Sequence, residues 1–203
     1  MACLEMERAR MASELKSHPE RHRGATADMP LGLIRPFDRT HEAEVRDLLA
    51  RCLREIAPPS AQVAVEAYIA GALAGDYRDI ATHYRPGRGR GLWLALSGDG
   101  NLMGTFALQP SGEDVAELRR MYVDAGFRRR GTARAMLARA EALCGDWGFR
   151  TLVLTTSSLN RAAIELYRSA GYRQSEYAAG SSQAEPLPPG VRVFTFEKIL
   201  DAG

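Results

Sequence analysis

The sequence predicts a mixed α/β domain organised around one long sheet. Two observations carry that expectation. Short apolar runs closed by glycine or proline turns alternate with stretches whose apolar residues recur at helical spacing, and no internal repeat or low-complexity tract interrupts the alternation. With 203 residues, 45% of them hydrophobic, the chain has material for one sizeable core, so a single domain is the starting assumption.

Residues 1–28 carry five basic and five acidic side chains with little apolar content, which reads as an N-terminal arm or a peripheral helix. They lack the continuous apolar centre of a secretory signal. The fold starts near Leu31, with residues 31–37 as the first strand. Thr40 then caps a helix whose Val45, Leu48, Leu49, Cys52 and Leu53 share a face, and Pro58-Pro59 ends it. A second helix from Ser60 carries Val65, Ile69, Ala72 and Leu73 at helical spacing and precedes the glycine-rich stretch 87–91. Leu92-Trp-Leu-Ala-Leu and Met103-Gly-Thr-Phe-Ala-Leu flank Ser97-Gly-Asp-Gly-Asn, a composition that closes a hairpin. A third strand covers 116–123, a helix follows at 132–147, and 151–155 is the next strand. Asn160 caps a helix bearing Ala163, Leu166, Tyr167 and Ala170, which Gly171 stops. Residues 178–190 form a polar loop and 191–199 a last strand, and the order is strand, two helices, three strands, helix, strand, helix, two strands.

The formal net charge of +2 gives no strong global field toward nucleic acid or an anionic membrane, so any anion site is local. Among the basic residues only Lys16 and Lys198 are lysine; arginine suits forked phosphate contacts, although a GC-rich genome explains the bias as well. Cys3, Cys52 and Cys144 have no zinc or disulfide spacing and fit a reducing cytoplasm. No segment is long enough to span a membrane.

The chemistry concentrates in Ala116-Glu-Leu-Arg-Arg-Met-Tyr-Val-Asp-Ala-Gly-Phe-Arg-Arg-Arg-Gly-Thr-Ala-Arg, a strand running through a short turn into a helix. The first amides of a helix have no intrahelical partner and carry the positive end of its dipole, so an anion is stabilised there without a specialised side chain. Gly131 admits close backbone approach, small Thr132 and Ala133 keep it open, and Arg128, Arg129 and Arg130 add local charge. The competing reading is a solvated turn punctuated by a glycine. Neither a P-loop nor a dinucleotide-binding glycine motif is present.

These residues resemble the GNAT superfamily of N-acetyltransferases. The superfamily signature Arg/Gln-x-x-Gly-x-Gly/Ala, placed between the central strand and the next helix, matches Arg128-x-x-Gly131-x-Ala133. Leu152-Val-Leu-Thr-Thr follows as the next strand, and Asn160-Arg-Ala-Ala-Ile-Glu-Leu-Tyr-Arg-Ser-Ala-Gly-Tyr is similar to the family's Asn-x-x-Ala-x-x-Leu-Tyr-x-x-x-Gly-Phe. The resemblance runs from about Leu31 to Ile199 and is sharp from Ala116 to Tyr172. It implies a GNAT-like domain over 29–203, with a central, mostly antiparallel sheet of about seven strands splayed at the middle and about four flanking helices.

It also implies acetyl-CoA as cosubstrate, no metal, and a set of site residues. The strand ending at Met121-Tyr122-Val123 splays at a bulge and offers backbone groups to the pantetheine arm, and an amide near Val123 polarises the thioester carbonyl. Amides of Arg129, Arg130, Gly131, Thr132, Ala133 and Arg134 hold the pyrophosphate beside Arg128. Asn160 bonds the pantetheine arm, serves only as a helix cap, or does both. Tyr167, four residues after Ala163 on the same helix face, protonates the departing thiolate; its competing reading is a packed core aromatic. Glu117 matches a family general base, acting directly or through water, against the alternative of a solvated glutamate paired with Arg119.

The expected activity is transfer of an acetyl or other short acyl group from acyl-CoA to a primary amine within a ternary complex. A non-catalytic acyl-CoA sensor or partner module on the same fold is the alternative. Gly87-Arg-Gly-Arg-Gly reads as a flexible connection rather than an RNA-binding segment, the four histidines form no ligand set, and Cys144 reads as packing. The acceptor, a small molecule or a peptide amine, is expected against the two early helices and the loop at 178–190, where acids including Glu42, Glu44, Asp47, Glu66 and Asp76 stand available for a cation. Nucleic-acid and membrane partners are not expected, the location is cytoplasmic, and a homodimer is left open.

Overall fold

The computed structural model describes residues 33–175 and 191–200; the expected N-terminal arm and the polar loop at 178–190 lie outside the described residues. In chain order the elements are β1 (Ile34–Pro36), α1 (Glu42–Ile56), α2 (Gln62–Ala74), a one-turn α3 (Ile80–His83), β2 (Gly91–Leu96), β3 (Leu102–Pro110), β4 (Val115–Val123), α4 (Thr132–Asp146), β5 (Thr151–Ser157), α5 (Arg161–Ser169), β6 (Arg173–Ser175) and β7 (Val193–Ile199). The order expected from the sequence holds, with α3 added.

Among the described residues, seven strands join one sheet in the order β1-β2-β3-β4-β5-β7-β6. Every neighbouring pair is antiparallel apart from β4 and β5, which run parallel because α4 returns the chain between them. Alternation along the strands splits the core between two faces. In β2, Leu92, Leu94 and Leu96 join Val45, Leu49, Tyr77 and Ile80 on the face covered by α1 and α3, whereas Trp93 and Ala95 join Phe106, Met136, Leu137 and Leu152 on the face covered by α4 and α5. Truncating Leu94 or Leu137 to alanine removes a fully buried side chain and costs about 2–5 kcal/mol.

Local chemistry accounts for most boundaries. Helix α1 buries Val45, Leu48, Leu49 and Cys52 and starts with Glu42 and Glu44, where acids favour the helix dipole. Its entry differs from expectation: Asp38, not Thr40, supplies the cap. The Asp38 carboxylate accepts from the Thr40 amide, 2.9 Å, at the head of a 3-10 turn that leads into the helix. Two acceptors lay two residues apart, and the carboxylate is the stronger one. Helix α2 is apolar nearly all round yet buries only Ile69 and Ala72, leaving Val65 and Leu73 half-buried and Val63 exposed.

The glycine-arginine stretch before β2 is a closed turn rather than a flexible connection. Gly87 and Arg90 exchange both backbone hydrogen bonds at 3.1 Å, and Arg88 donates to the Trp147 carbonyl while lying over the Phe149 ring. A Cβ at Gly89 would meet that ring at 2.5 Å, and its φ of +72 also calls for glycine. Among the described residues no helix is long and apolar enough to cross a membrane.

Candidate active site

The sheet opens where β4 parts from β5. The two strands pair only from Val115↔Thr151 to Leu118↔Leu154, but β4 continues to Val123 and β5 to Ser157. Just past the last pair, β4 bulges against β3: Ala107 faces Arg119 and Thr105 faces Tyr122, so Arg120 and Met121 together oppose Phe106. Arg120 takes a φ of 52, rare for a residue with a side chain, and its carbonyl accepts from Thr105 Oγ1 at 3.1 Å. Beyond the bulge, Asp124 N donates back to Met103 O. By strand alternation the Val123 amide, one residue earlier, turns toward the opening between β4 and β5.

The chain then enters a helix start shaped for an anion. Arg129 has φ 63 and Gly131 φ 82, so the turn alternates handedness and its amides converge, as in an anion-binding nest. Gly131 stands at the N-cap of α4 with no side-chain cap, and the first closing bond is from Ala135 N to Gly131 O. The amides of Thr132, Ala133 and Arg134 are therefore left facing outward. Thr132 is buried and turns its hydroxyl back to the Phe127 carbonyl. Nothing lies within 4 Å of where a Gly131 Cβ would stand, so the space beside Gly131 is open.

The three arginines divide. Arg128, expected beside the pyrophosphate, sends its guanidinium the other way: Nε donates to Val123 O at 2.9 Å and Nη2 to Glu55 Oε2 at 2.5 Å, tying the end of β4 to α1. Its place in the motif is that of a strut. Arg130 lies over the Phe127 ring, and Arg134 reaches Ser169 Oγ on α5 at 3.1 Å.

Tyr167 is buried on α5, with its ring against Tyr172 and Phe196. Its hydroxyl meets Met121 Sδ at 3.8 Å, a weak acceptor, at the point where β4 leaves β5. Burial raises its pKa well above that of a free phenol, so the proton stays on. Ala163 lies on the same helix, half-buried, and donates its amide to Asn160 Oδ1 at 3.2 Å; Asn160 is thus a helix cap. Ile164, absent from the expected apolar face, is buried beside Tyr167.

Glu117 is 5% exposed and accepts from Gln109 Nε2 at 2.8 Å, which removes the picture of a solvated strand glutamate. It stands on the sheet face opposite Leu118 and α4. Asp76 is no free anion for a cationic acceptor. Its carboxylate is buried under Arg120, whose Nε and Nη2 reach the two oxygens at 2.8 and 2.7 Å, and it also accepts from the Tyr84 hydroxyl. Burial opposes the Asp76 charge, but the Arg120 guanidinium outweighs it and holds the pKa below its ordinary value. Sequence reasoning missed this pair, which joins residues 44 apart. Cys144 is buried packing, its thiol pushed up to about 12 by burial. Among the described residues no three His, Cys, Asp or Glu side chains gather as metal ligands.

The sheet thus parts beside its central parallel pair, and the strand at that parting leads into a helix N-terminus with no side-chain cap. Residues 43–172 match the family model of the acetyltransferase (GNAT) family, and the chain belongs to that family. Human N-acetylaspartate synthetase is 34% identical over 137 residues, covering 67% of this chain and 43% of that protein. Rat N-acetyltransferase 8 is 33% identical over 112 residues, 53% of this chain and 50% of that one, so the chain spans half or less of the length of these relatives. A GNAT-family acetyltransferase structure from Staphylococcus aureus Mu50 superposes with a TM-score of 0.65 at 19% identity, covering 83% of this chain and 99% of its own, and shows the same fold.

Proposed function

We propose that this protein transfers an acetyl group from acetyl-CoA directly to a primary amine held with it in a ternary complex. The observation that carries the proposal is a convergence at one opening of the sheet. The Tyr167 hydroxyl reaches Met121 just past the last β4–β5 pair, Val123 follows two residues on, and the same strand leads into the turn at residues 129–134.

Each residue then has a task. Outward amides of the α4 N-terminus hold the coenzyme pyrophosphate, and the β4 edge from Met121 to Val123, including the Tyr122 backbone, pairs with the pantetheine arm. The Val123 amide donates to the carbonyl oxygen as negative charge develops on it. Tyr167, kept neutral by burial, hands its proton to the departing sulfur. Glu117 takes the proton of the attacking amine, through Gln109-ordered contacts or a water. Asn160 orders α5 first and offers its amide nitrogen to the pantetheine arm second. The relatives named N-acetylaspartate synthetase and N-acetyltransferase 8 orient the acceptor search toward amino acids and other small primary amines.

The test is incubation of the protein with acetyl-CoA and a pooled library of amino acids, polyamines and peptides, followed by mass spectrometry of the products. Acetylated amine with release of CoA supports transfer. Tight acetyl-CoA binding with no product from any amine overturns it and leaves the sensor reading in its place.

A further inference from the structure

Arg120 is the one strand residue in β4 whose backbone is sterically unfavourable for an L side chain, and it lies two residues beyond the last β4–β5 pair. An unfavourable backbone persists only where its surroundings over-determine it. Here they do: both Asp76 oxygens bind the guanidinium, Tyr68 Oη lies 2.9 Å from Nη1, and the Tyr77 ring lies 5.4 Å from the guanidinium carbon. Asp76 and Arg120 side chains are each 8% exposed. The anchors come from α2 and the loop after it, on the face away from α4.

The bulge decides phase. In a regular strand Leu118 and Arg120 would share a face and Met121 would turn away from it. With the extra residue, Leu118, Met121 and Val123 all face α4 and α5, which puts Met121 against Tyr167 and turns the Val123 amide into the opening. A slip of one residue in β4 would undo both placements.

We propose that Arg120, latched by Asp76, is a positioning residue: it fixes the phase of the β4 bulge and so aims the Val123 amide and Met121 at the reacting centre. The elements beyond the sheet on the α2 side and the coenzyme strand are thereby one mechanical unit. The catalytic part of this rests on the transfer reading above, while the positional part does not.

The experiment uses the full chain. Arg120→Gly combined with Asp76→Asn removes both charges together, leaving neither buried alone, and glycine accepts the φ of Arg120 without help. Arg120→Lys keeps the charge but not the forked geometry. Three quantities are read: acetyl-CoA affinity by calorimetry, kcat and KM with the acceptor found by the amine screen, and the resonances of the Val123 amide and the Met121 methyl in ligand-free protein. The double variant is expected to melt cooperatively and to keep acetyl-CoA affinity within about threefold, because the pyrophosphate cradle is backbone elsewhere. Its kcat should fall by about 10²-fold, the cost of a misplaced reacting group, and both resonances should move. Arg120→Lys should fall between it and the wild type in kcat and in both resonances. Wild-type kcat and unmoved resonances in both variants overturn the proposal. If the wild type acetylates no amine, the transfer reading has failed, and the resonances alone decide the latch. A double variant that does not fold passes that decision to Arg120→Lys.

Discussion

The two flanks of the β4 opening are built from different materials. At its mouth the cradle is backbone: two left-handed residues and the free amides of one helix start, with Arg128 engaged elsewhere. Behind β4 the support is side chain, an ion pair between Arg120 and Asp76 with tyrosine hydroxyls and rings around it. The difference teaches where each function is vulnerable. Backbone recognition survives most substitutions and fails when φ or free space changes, whereas a buried ion pair fails when one partner is lost, because the other is stranded without water.

Asp76→Asn therefore has the largest expected effect, a loss of about 3–5 kcal/mol of stability with Arg120 left unpaired. The pH dependence gives the sign. Since the folded pKa of Asp76 lies below its ordinary 3.8, its stabilisation is present above that value and is lost as pH falls through the folded pKa. Urea melts across pH 3 to 7 should show the gap between wild type and variant widest at neutral pH and narrowing in acid. A gap independent of pH would mean that the loss comes from packing alone.

Tyr167→Phe comes next, and it acts at the meeting of the two flanks. The ring contacts with Tyr172 and Phe196 remain, so folding and acetyl-CoA affinity should hold. Single-turnover transfer should slow by about 10²–10⁴-fold, toward the low end because a thiolate leaves without full protonation more readily than an alkoxide. An unchanged chemical rate would return Tyr167 to the core.

Gly131→Glu tests the backbone flank. It puts a side chain at φ 82 and a negative charge into open space beside the proposed pyrophosphate site, and acetyl-CoA and CoA affinity should drop by about 10²-fold in calorimetry. Gly131→Ala carries the strain without the charge, and its smaller loss separates the two causes.

The contrast between the flanks also explains what the sequence discloses. The cradle is local, since Arg128, Gly131 and Ala133 lie within one turn, and the Asn160 cap is three residues from the amide it binds. Both are readable from spacing. The latch is not, because Arg120 looks like Arg119 in a list of strand residues, and the one-residue phase shift that separates them is set by Asp76 and Tyr68, far along the chain. Helix α2 fails differently: with Val, Ala, Ile and Leu around its whole circumference, periodicity alone cannot choose Ile69 and Ala72 as the buried side. Arg128 matched its motif position while its side chain went to Glu55, since a motif constrains residue type and not rotamer.

Glu117→Gln is expected to have the smallest effect and to sharpen the comparison most finely. Glu117 lies on β4 ahead of the bulge, buried and bonded to Gln109, so it shares the side-chain flank on the face away from α4. Glutamine keeps the size and removes the base. Its amide can also turn its oxygen to Gln109 Nε2, so packing and the latch should be undisturbed. The loss should be largest at low pH, where the acceptor amine is mostly protonated and a proton must be taken before attack, and should reach about tenfold there, below the usual range for positioned base catalysis because water can share the task. Toward high pH, where the free amine predominates, variant and wild type should converge. The measurement is kcat/KM against pH for one identified amine. Parallel profiles displaced by a constant factor would assign Glu117 to positioning alone, and identical profiles would remove it from the mechanism and leave water as the base.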